Sequence, residues 1–272
     1  FRQSLILSGL FVLGLLAVNL IVFKPGTMAV VTLSGLYQGM LFFLIAAGMS
    51  IVFGLLDVLN LAHGAFFMLG AYAGFAIYGA LPAGTPIEAR FIAALVGATL
   101  TGGLAGALME IGLLRPLYAR PVYQIVMTLG LSTALNEVVR AIYGPAGLVP
   151  IEEPPLLATT FTIAGGQFET YRVFIIAVGA ALMVGISLLL QRTRLGIIIR
   201  AGVQDSEMVQ ALGINVRRIF TLVFALGTAV AALGGMTAAP FLGAYPGMGT
   251  DFLLVAIIVI VIGGMSSYEG TA

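Results

Sequence analysis

The 272-residue sequence has no cysteine, no tryptophan and one histidine, His63. Without cysteine there is no disulfide framework and no thiol chemistry. Without tryptophan, any interfacial aromatic belt must rest on 9 Tyr and 17 Phe. Charge is also scarce. Only 8% of residues are Asp, Glu, Lys or Arg, and 60% are apolar. A soluble domain carries about a quarter charged residues. Folding this chain in water would leave a largely apolar surface, which soluble proteins do not tolerate over large patches. There is also no G-x-x-x-x-G-K-[ST] phosphate loop, so any ATP chemistry belongs to another chain.

What the sequence does have is apolar runs. Residues 5–23, 28–56 and 173–191 each run without a charge, and about 20 such residues span a ~30 Å hydrocarbon layer. The expected fold is all-α, a polytopic transmembrane helical bundle forming a single domain over 1–272. Eight hydrophobic segments are read at 5–23, 28–56, 65–80, 91–113, 123–143, 172–191, 219–239 and 252–264. The second is too long for one upright helix and should tilt, or bend near Gly48 or Gly54. The 36 glycines suit closely packed or broken membrane helices. Residues 5–23 exceed a signal peptide's apolar region. Lys24-Pro25-Gly26 follows in place of a small-residue cleavage site, so a retained first span is expected. The chain opens on Phe1, as a fragment or a renumbered piece would.

Five of the twelve basic residues, Arg192, Arg194, Arg200, Arg217 and Arg218, lie in one loop. The positive-inside rule places 192–218 in the cytoplasm. Counting spans then puts the N-terminus inside with Arg2, Arg115 and Arg120, and the loop 144–170 outside. That loop carries Glu152, Glu153 and Glu169 without a basic residue. Its prolines and Gly165-Gly166 suit either a connector or a cover for the outer mouth of the bundle. Lys24 and Arg90 fall on the outer side, against the rule.

The inner loop should hold a short helix. Asp205 or Ser206 can cap its start, Glu207 favours its first turn, and Gly213 suits its left-handed end. Met208, Val209, Ala211 and Leu212 give an apolar stripe at helical spacing. Two turns alone are marginal, so the helix needs its own bundle, a partner protein or anionic lipid to pack on.

The apolar pattern breaks at Asp57–Gly64. Asp57, Asn60 and His63 stand at i, i+3 and i+6, so on a helix they share a face. Polar groups beside apolar spans favour a cavity or a partner, and transporters bind substrate at such breaks. Asn60, His63 and Gly64 are therefore candidates for the substrate path or a gate, the span count placing them near the cytoplasmic face. The bland alternative is a turn with His63 at a helix end. Gly263, Gly264 and Gly270 could form a second break in the other half, or a plain helix end. Glu137 and Arg140 should pair on one helix face, Glu110 should snorkel or pair with Arg115, and Asp251 should cap the last span.

Three ordered motifs resemble a known family. Arg194-Leu195-Gly196, Arg200-Ala201, Asp205, Ala211 and Gly213-Ile214 resemble the cytoplasmic coupling loop of ABC-importer permeases of the branched-chain amino acid type. Asn60-Leu61-Ala62-His63-Gly64 with Met68-Leu69-Gly70-Ala71-Tyr72 resembles a segment of the first of their two permease subunits. Val261-Ile262-Gly263-Gly264-Met265-Ser266-Ser267 with Gly270 resembles the family's glycine-rich segment. The matches run in order over 36–272. The family continues with roughly two more helices, so by this resemblance the chain is C-terminally truncated. Ala65 stands where amino-acid permeases often carry an acidic residue.

The resemblance implies a non-enzymatic permease without cofactor in a bacterial or archaeal cytoplasmic membrane. It implies two cytoplasmic ATPase subunits, a second permease subunit (hetero- or homodimer) and an exterior solute-binding protein; membrane lipid is the remaining partner, and nucleic acid is not one. Arg200, Asp205, Glu207, Met208, Leu212 and Gly213 would couple to the ATPases. Branched-chain amino acids are the default substrate, with urea, other amides or sugars as alternatives within the family. An ion-driven secondary transporter would need intramembrane carboxylates or histidines in a relay, and only Glu137 lies well inside a span. An intramembrane serine hydrolase using His63 lacks an obvious nucleophile motif.

Overall fold

The structure is a computed structural model that describes residue 14 and residues 25–56, 60–204 and 206–264. The first expected span, 5–23, lies outside the described residues apart from residue 14. The next seven expected segments are all helical.

The helices are α1 (Pro25–Leu56), α2 (His63–Ala80), α3 (Ile87–Met109), α4 (Pro121–Tyr143), α5 (Thr170–Arg192), α6 (Arg194–Gln204), α7 (Ser206–Ala211), α8 (Val216–Leu242) and α9 (Met248–Gly263). Five of these, α1, α3, α4, α5 and α8, are long and apolar enough to cross a membrane. The sequence reading counted eight spans; α2 and α9 are the shorter members, with 18 and 16 residues. The second segment is one α-helix of 32 residues, about 48 Å long.

α8 is the axis of the bundle, packed by α1, α2 and α3. It has few large side chains along this core; Ala231, Ala232, Gly234, Gly235, Ala238 and Ala239 are all buried. Small residues let backbones touch, which gains packing where lipid supplies no hydrophobic drive. Matching positions set the directions. Gly70 meets Ala232 and Gly74 meets Met236, so α2 runs parallel to α8. Gly102 meets Ala232 and Gly106 meets Thr228, so α3 runs antiparallel to it. On the outer side of α3, Ile92, Val96, Leu100, Leu104 and Leu108 form an exposed ridge at i, i+4 spacing, as a lipid-facing helix requires.

The loop 144–170 holds an element the sequence reading did not foresee. Thr160–Ile163 (β1) and Gly166–Glu169 (β2) pair as an antiparallel hairpin. Ala164 and Gly165 both have positive φ, 50° and 89°, the geometry that suits the twist of a two-residue hairpin. The hairpin packs on the start of α1. Burial, and then the neighbouring Glu169 carboxylate, push the Glu153 carboxyl above its ordinary pKa.

Where α3 ends, Glu110–Leu114 form a π-helical turn. Glu110 is fully buried and fully satisfied. It accepts from Arg115 Nε and Nη2 (3.2 and 2.9 Å), Tyr118 Oη (2.6 Å) and Thr221 Oγ1 of α8 (2.7 Å). The expected Glu110–Arg115 pair is thus present, and it also ties α3 to the first turns of α8. Glu110→Ala should lower stability by about 1–3 kcal/mol, less than for a fully buried pair because Arg115 reaches solvent. Glu110→Gln should recover part of this. Thermal unfolding of the purified protein measures both.

Candidate functional site

The break after α1 is a turn, not a continuous helix. Leu61 and Ala62 form the turn and α2 starts at His63, so Asn60 and His63 do not share a helical face. Asp57 lies outside the described residues. The Asn60 side chain folds back instead, its Oδ1 accepting from Ala62 N at 3.0 Å while its carbonyl accepts from His63 N at 3.1 Å. Asn favours this local bonding over helix continuation. Thr128 Oγ1 on α4 accepts from Leu61 N at 3.2 Å, which fixes the turn to a third helix.

The contacts of His63 show what this turn packs on. His63 packs on Gly48 of α1, its Nε2 2.9 Å from where a Gly48 Cβ would sit. Gly48 lies eight residues before the end of α1, about 12 Å along the axis. Gly48 in turn meets the Gly227 carbonyl of α8. The start of α2 is therefore packed inside the bundle, against α1 about two turns before that helix ends.

Asn60 and His63 are 1% and 0% exposed. Asn60 Nδ2 and both His63 ring nitrogens have no hydrogen-bond partner. The Ile45 backbone lies near the imidazole without meeting hydrogen-bond geometry. Unpaired polar atoms in an apolar core each cost on the order of 1–3 kcal/mol, so three in one place are unusual.

Gly64 faces the start of α9. A Cβ on Gly64 would overlap the Gly249 carbonyl, and one on Gly249 would stand 2.5 Å from the Gly64 carbonyl. Beside this contact Phe67 stacks on Phe252, ring centroids 4.8 Å apart. Two helices, α2 and α9, thus begin side by side within the bundle. Gly247, with φ 95°, precedes α9. Asp251 does not cap this helix; its carboxylate accepts from Tyr245 Oη at 3.1 Å.

Gly263 and Gly264 are at the other end of α9, where the helix stops and Gly264 takes φ 97°. Fourteen residues, or about 21 Å of helix, separate Gly263 from Gly249. The structure does not bring the pair to Gly64; Gly249, to which sequence reasoning gave no role there, takes that place. A G-x-G at an apolar helix start was the visible signal.

The inner loop carries two helices. α6 was not foreseen; α7 was. Gly213 has φ 82°, and Gly213 N and Ile214 N close the end of α7 on Gln210 and Val209 carbonyls at 2.9 and 3.3 Å, as a left-handed terminus should. Asp205 lies outside the described residues, as does the side chain of Glu207. Of the expected stripe, Val209 is buried, while Met208 and Leu212 are 64% and 73% exposed. Arg200 on α6 is exposed, and its neighbour Ile199 is buried against Ile51 of α1 and Val223 of α8. Past α7, a groove of about 380 Å³ is lined by Gln210, Gly213, Ile214, Asn215, Val216 and Arg217. Among the described residues no group of His, Asp and Glu could hold a metal ion.

Comparison with known proteins fits a chain with membrane-length helices. LivH of Escherichia coli (strain K12), a high-affinity branched-chain amino acid transport system permease protein, is 28% identical over 248 residues, covering 87% of this chain and 79% of LivH. BraD of Pseudomonas aeruginosa, described likewise, is 28% identical over the same shares of the two chains. LivM of Escherichia coli (strain K12) is 28% identical over 298 residues, covering 98% of this chain and 64% of LivM. No solved structure matches. Residues 31–272 match the family described as "Branched-chain amino acid transport system / permease component", and the chain, a multi-pass membrane protein, belongs to that family.

Proposed function

We propose that this chain is one permease domain of an ATP-driven importer that moves a small polar solute inward by alternating access, with branched-chain amino acids as the substrate class. The observation that carries this reading is the pair of helix starts inside the bundle. There α2 and α9 meet at Gly64 and Gly249 beside the unpartnered Asn60 and His63. Helix starts present free N–H groups and positive dipole ends, which suit an anionic substrate group such as a carboxylate. Asn60, His63 and Gly64 gate the path, and Gly263 and Gly264 serve it as a hinge at the far end of α9.

The chain performs no chemistry of its own. Two cytoplasmic ATPase subunits bind ATP and press on the inner loop through Arg200, Asp205, Glu207, Met208, Leu212 and Gly213. A second permease subunit completes the path and an exterior binding protein delivers the solute. The N-terminus and 192–218 face the cytoplasm, and 144–170 faces out. Support for a lever comes from Ile199, which seats α6 between α1 and α8. A push on the loop then reaches the helix that carries Gly48 and the one that carries Gly227.

The test is leucine uptake by the assembled transporter in proteoliposomes. His63→Ala should reduce ATP-dependent uptake about tenfold, on the order of 1.4 kcal/mol, with assembly intact. Wild-type uptake by the variant at every leucine concentration would remove the gate role.

A further inference from the structure

α4 and α5 are both 23 residues long, and only 11% of the span in each is buried. An exposed surface in a bilayer should be apolar. α5 obeys, being the most apolar of the five membrane-length helices, whereas α4 is the least apolar of them. Part of the difference lies on one outward stripe of α4, Gly130, Thr133, Glu137 and Arg140, all exposed. The Glu137 and Arg140 side chains are 61% and 51% exposed and pair at 3.3 Å. Removing such a pair from water into hydrocarbon costs several kcal/mol per ion. A Cβ on Gly130 would meet nothing within 4 Å, so this face is open.

The opposite face of α4 is polar too, but occupied. Gln124 Nε2 donates to the Leu117 carbonyl at 2.9 Å, and Thr128 accepts from Leu61 N at 3.2 Å. α4 is thereby fastened to the turn that holds Asn60 and His63 while its outward stripe stays uncovered.

We propose that the outward stripe of α4 borders the hydrated solute path, not lipid. This rests on the permease reading above. The competing possibility is snorkelling, in which Glu137 and Arg140, in the last two turns of α4, reach the headgroups of a lipid-facing helix. Gly130 and Thr133 lie at the middle of the helix and have no such escape, so the test belongs there.

The cysteine-free chain makes the experiment direct. Gly130→Cys and Thr133→Cys introduce single thiols on α4, and Val184→Cys, at an exposed site on α5, is the lipid control. Each is expressed in the full transporter and exposed to a cationic methanethiosulfonate reagent. Intact cells and inside-out vesicles are compared, with and without ATP. Thiols react as thiolates, which hydrocarbon suppresses, so both α4 thiols should label at least roughly tenfold faster than Val184→Cys in one or more of these states. Labelling of Thr133→Cys no faster than the control in every state overturns the assignment. Leucine uptake measured alongside separates the two failures. Unreactive thiols in transporting cells overturn the α4 assignment alone, whereas absence of ATP-driven uptake by the unsubstituted protein removes the permease reading itself.

Discussion

Gly64→Ala, the addition of one methyl group, is expected to abolish uptake and to destabilise the protein. The new carbon would overlap the Gly249 carbonyl and stand 2.9 Å from the Leu253 Cβ. Backbone cannot step aside as a flexible side chain can, so α2 and α9 must separate. Overpacking of this kind costs about 1–3 kcal/mol, and this site should reach the upper end. The separation also pulls apart the two helix starts that frame Asn60 and His63, so activity should fall further than stability. Gly39→Ala is the control. A Cβ there meets nothing within 4 Å, and alanine is the better helix former by roughly 0.5–1 kcal/mol. The purified control should therefore melt no lower than the parent protein and transport normally. A Gly64→Ala variant with the parent's melting midpoint and leucine uptake would contradict the close contact itself.

Met208→Glu combined with Leu212→Glu should have an effect of similar size for the opposite reason. Met208 on α7 and Leu212 just past its end are both largely exposed, so the isolated chain should fold and melt close to the parent. If an ATPase presses on these side chains, two buried, unpaired carboxylates there would cost several kcal/mol at the contact. ATPase subunits should no longer co-purify and uptake should fall to background. Full uptake by the double variant would remove the lever. A lower melting midpoint in the isolated chain would show instead that they pack within its own bundle.

The membrane helices were legible because an apolar run of span length is hard to bury in any other way. Their boundaries came within a few residues, and the left-handed Gly213 was readable from its place after a short apolar stripe. Three features were not legible. Arg194–Gln204 reads as a linker because Gly196, Gly202 and three consecutive isoleucines are poor helix formers. Tertiary burial of Ile199 overrides them. The hairpin at 160–169 has strands of four residues each, too short for alternation to stand out among turn formers. The packing of His63 was hidden because counting spans does not say which helices a turn rests on. Only the contacts of Gly48 with His63, and of Gly64 with Gly249, show it. Glu110 was half visible: Arg115 is five residues away, but Thr221 is supplied by a helix more than a hundred residues on.

Gly48 and Gly227 bring the backbones of α1 and α8 into contact, with Val52 of α1 packed beside Gly227. A crossing built this way has few side chains to rearrange when its angle changes. On the permease reading proposed above it would act as a fulcrum, with His63 resting against the same Gly48. Tilting α1 about that point swings its two ends in opposite senses, widening one mouth of the bundle while narrowing the other.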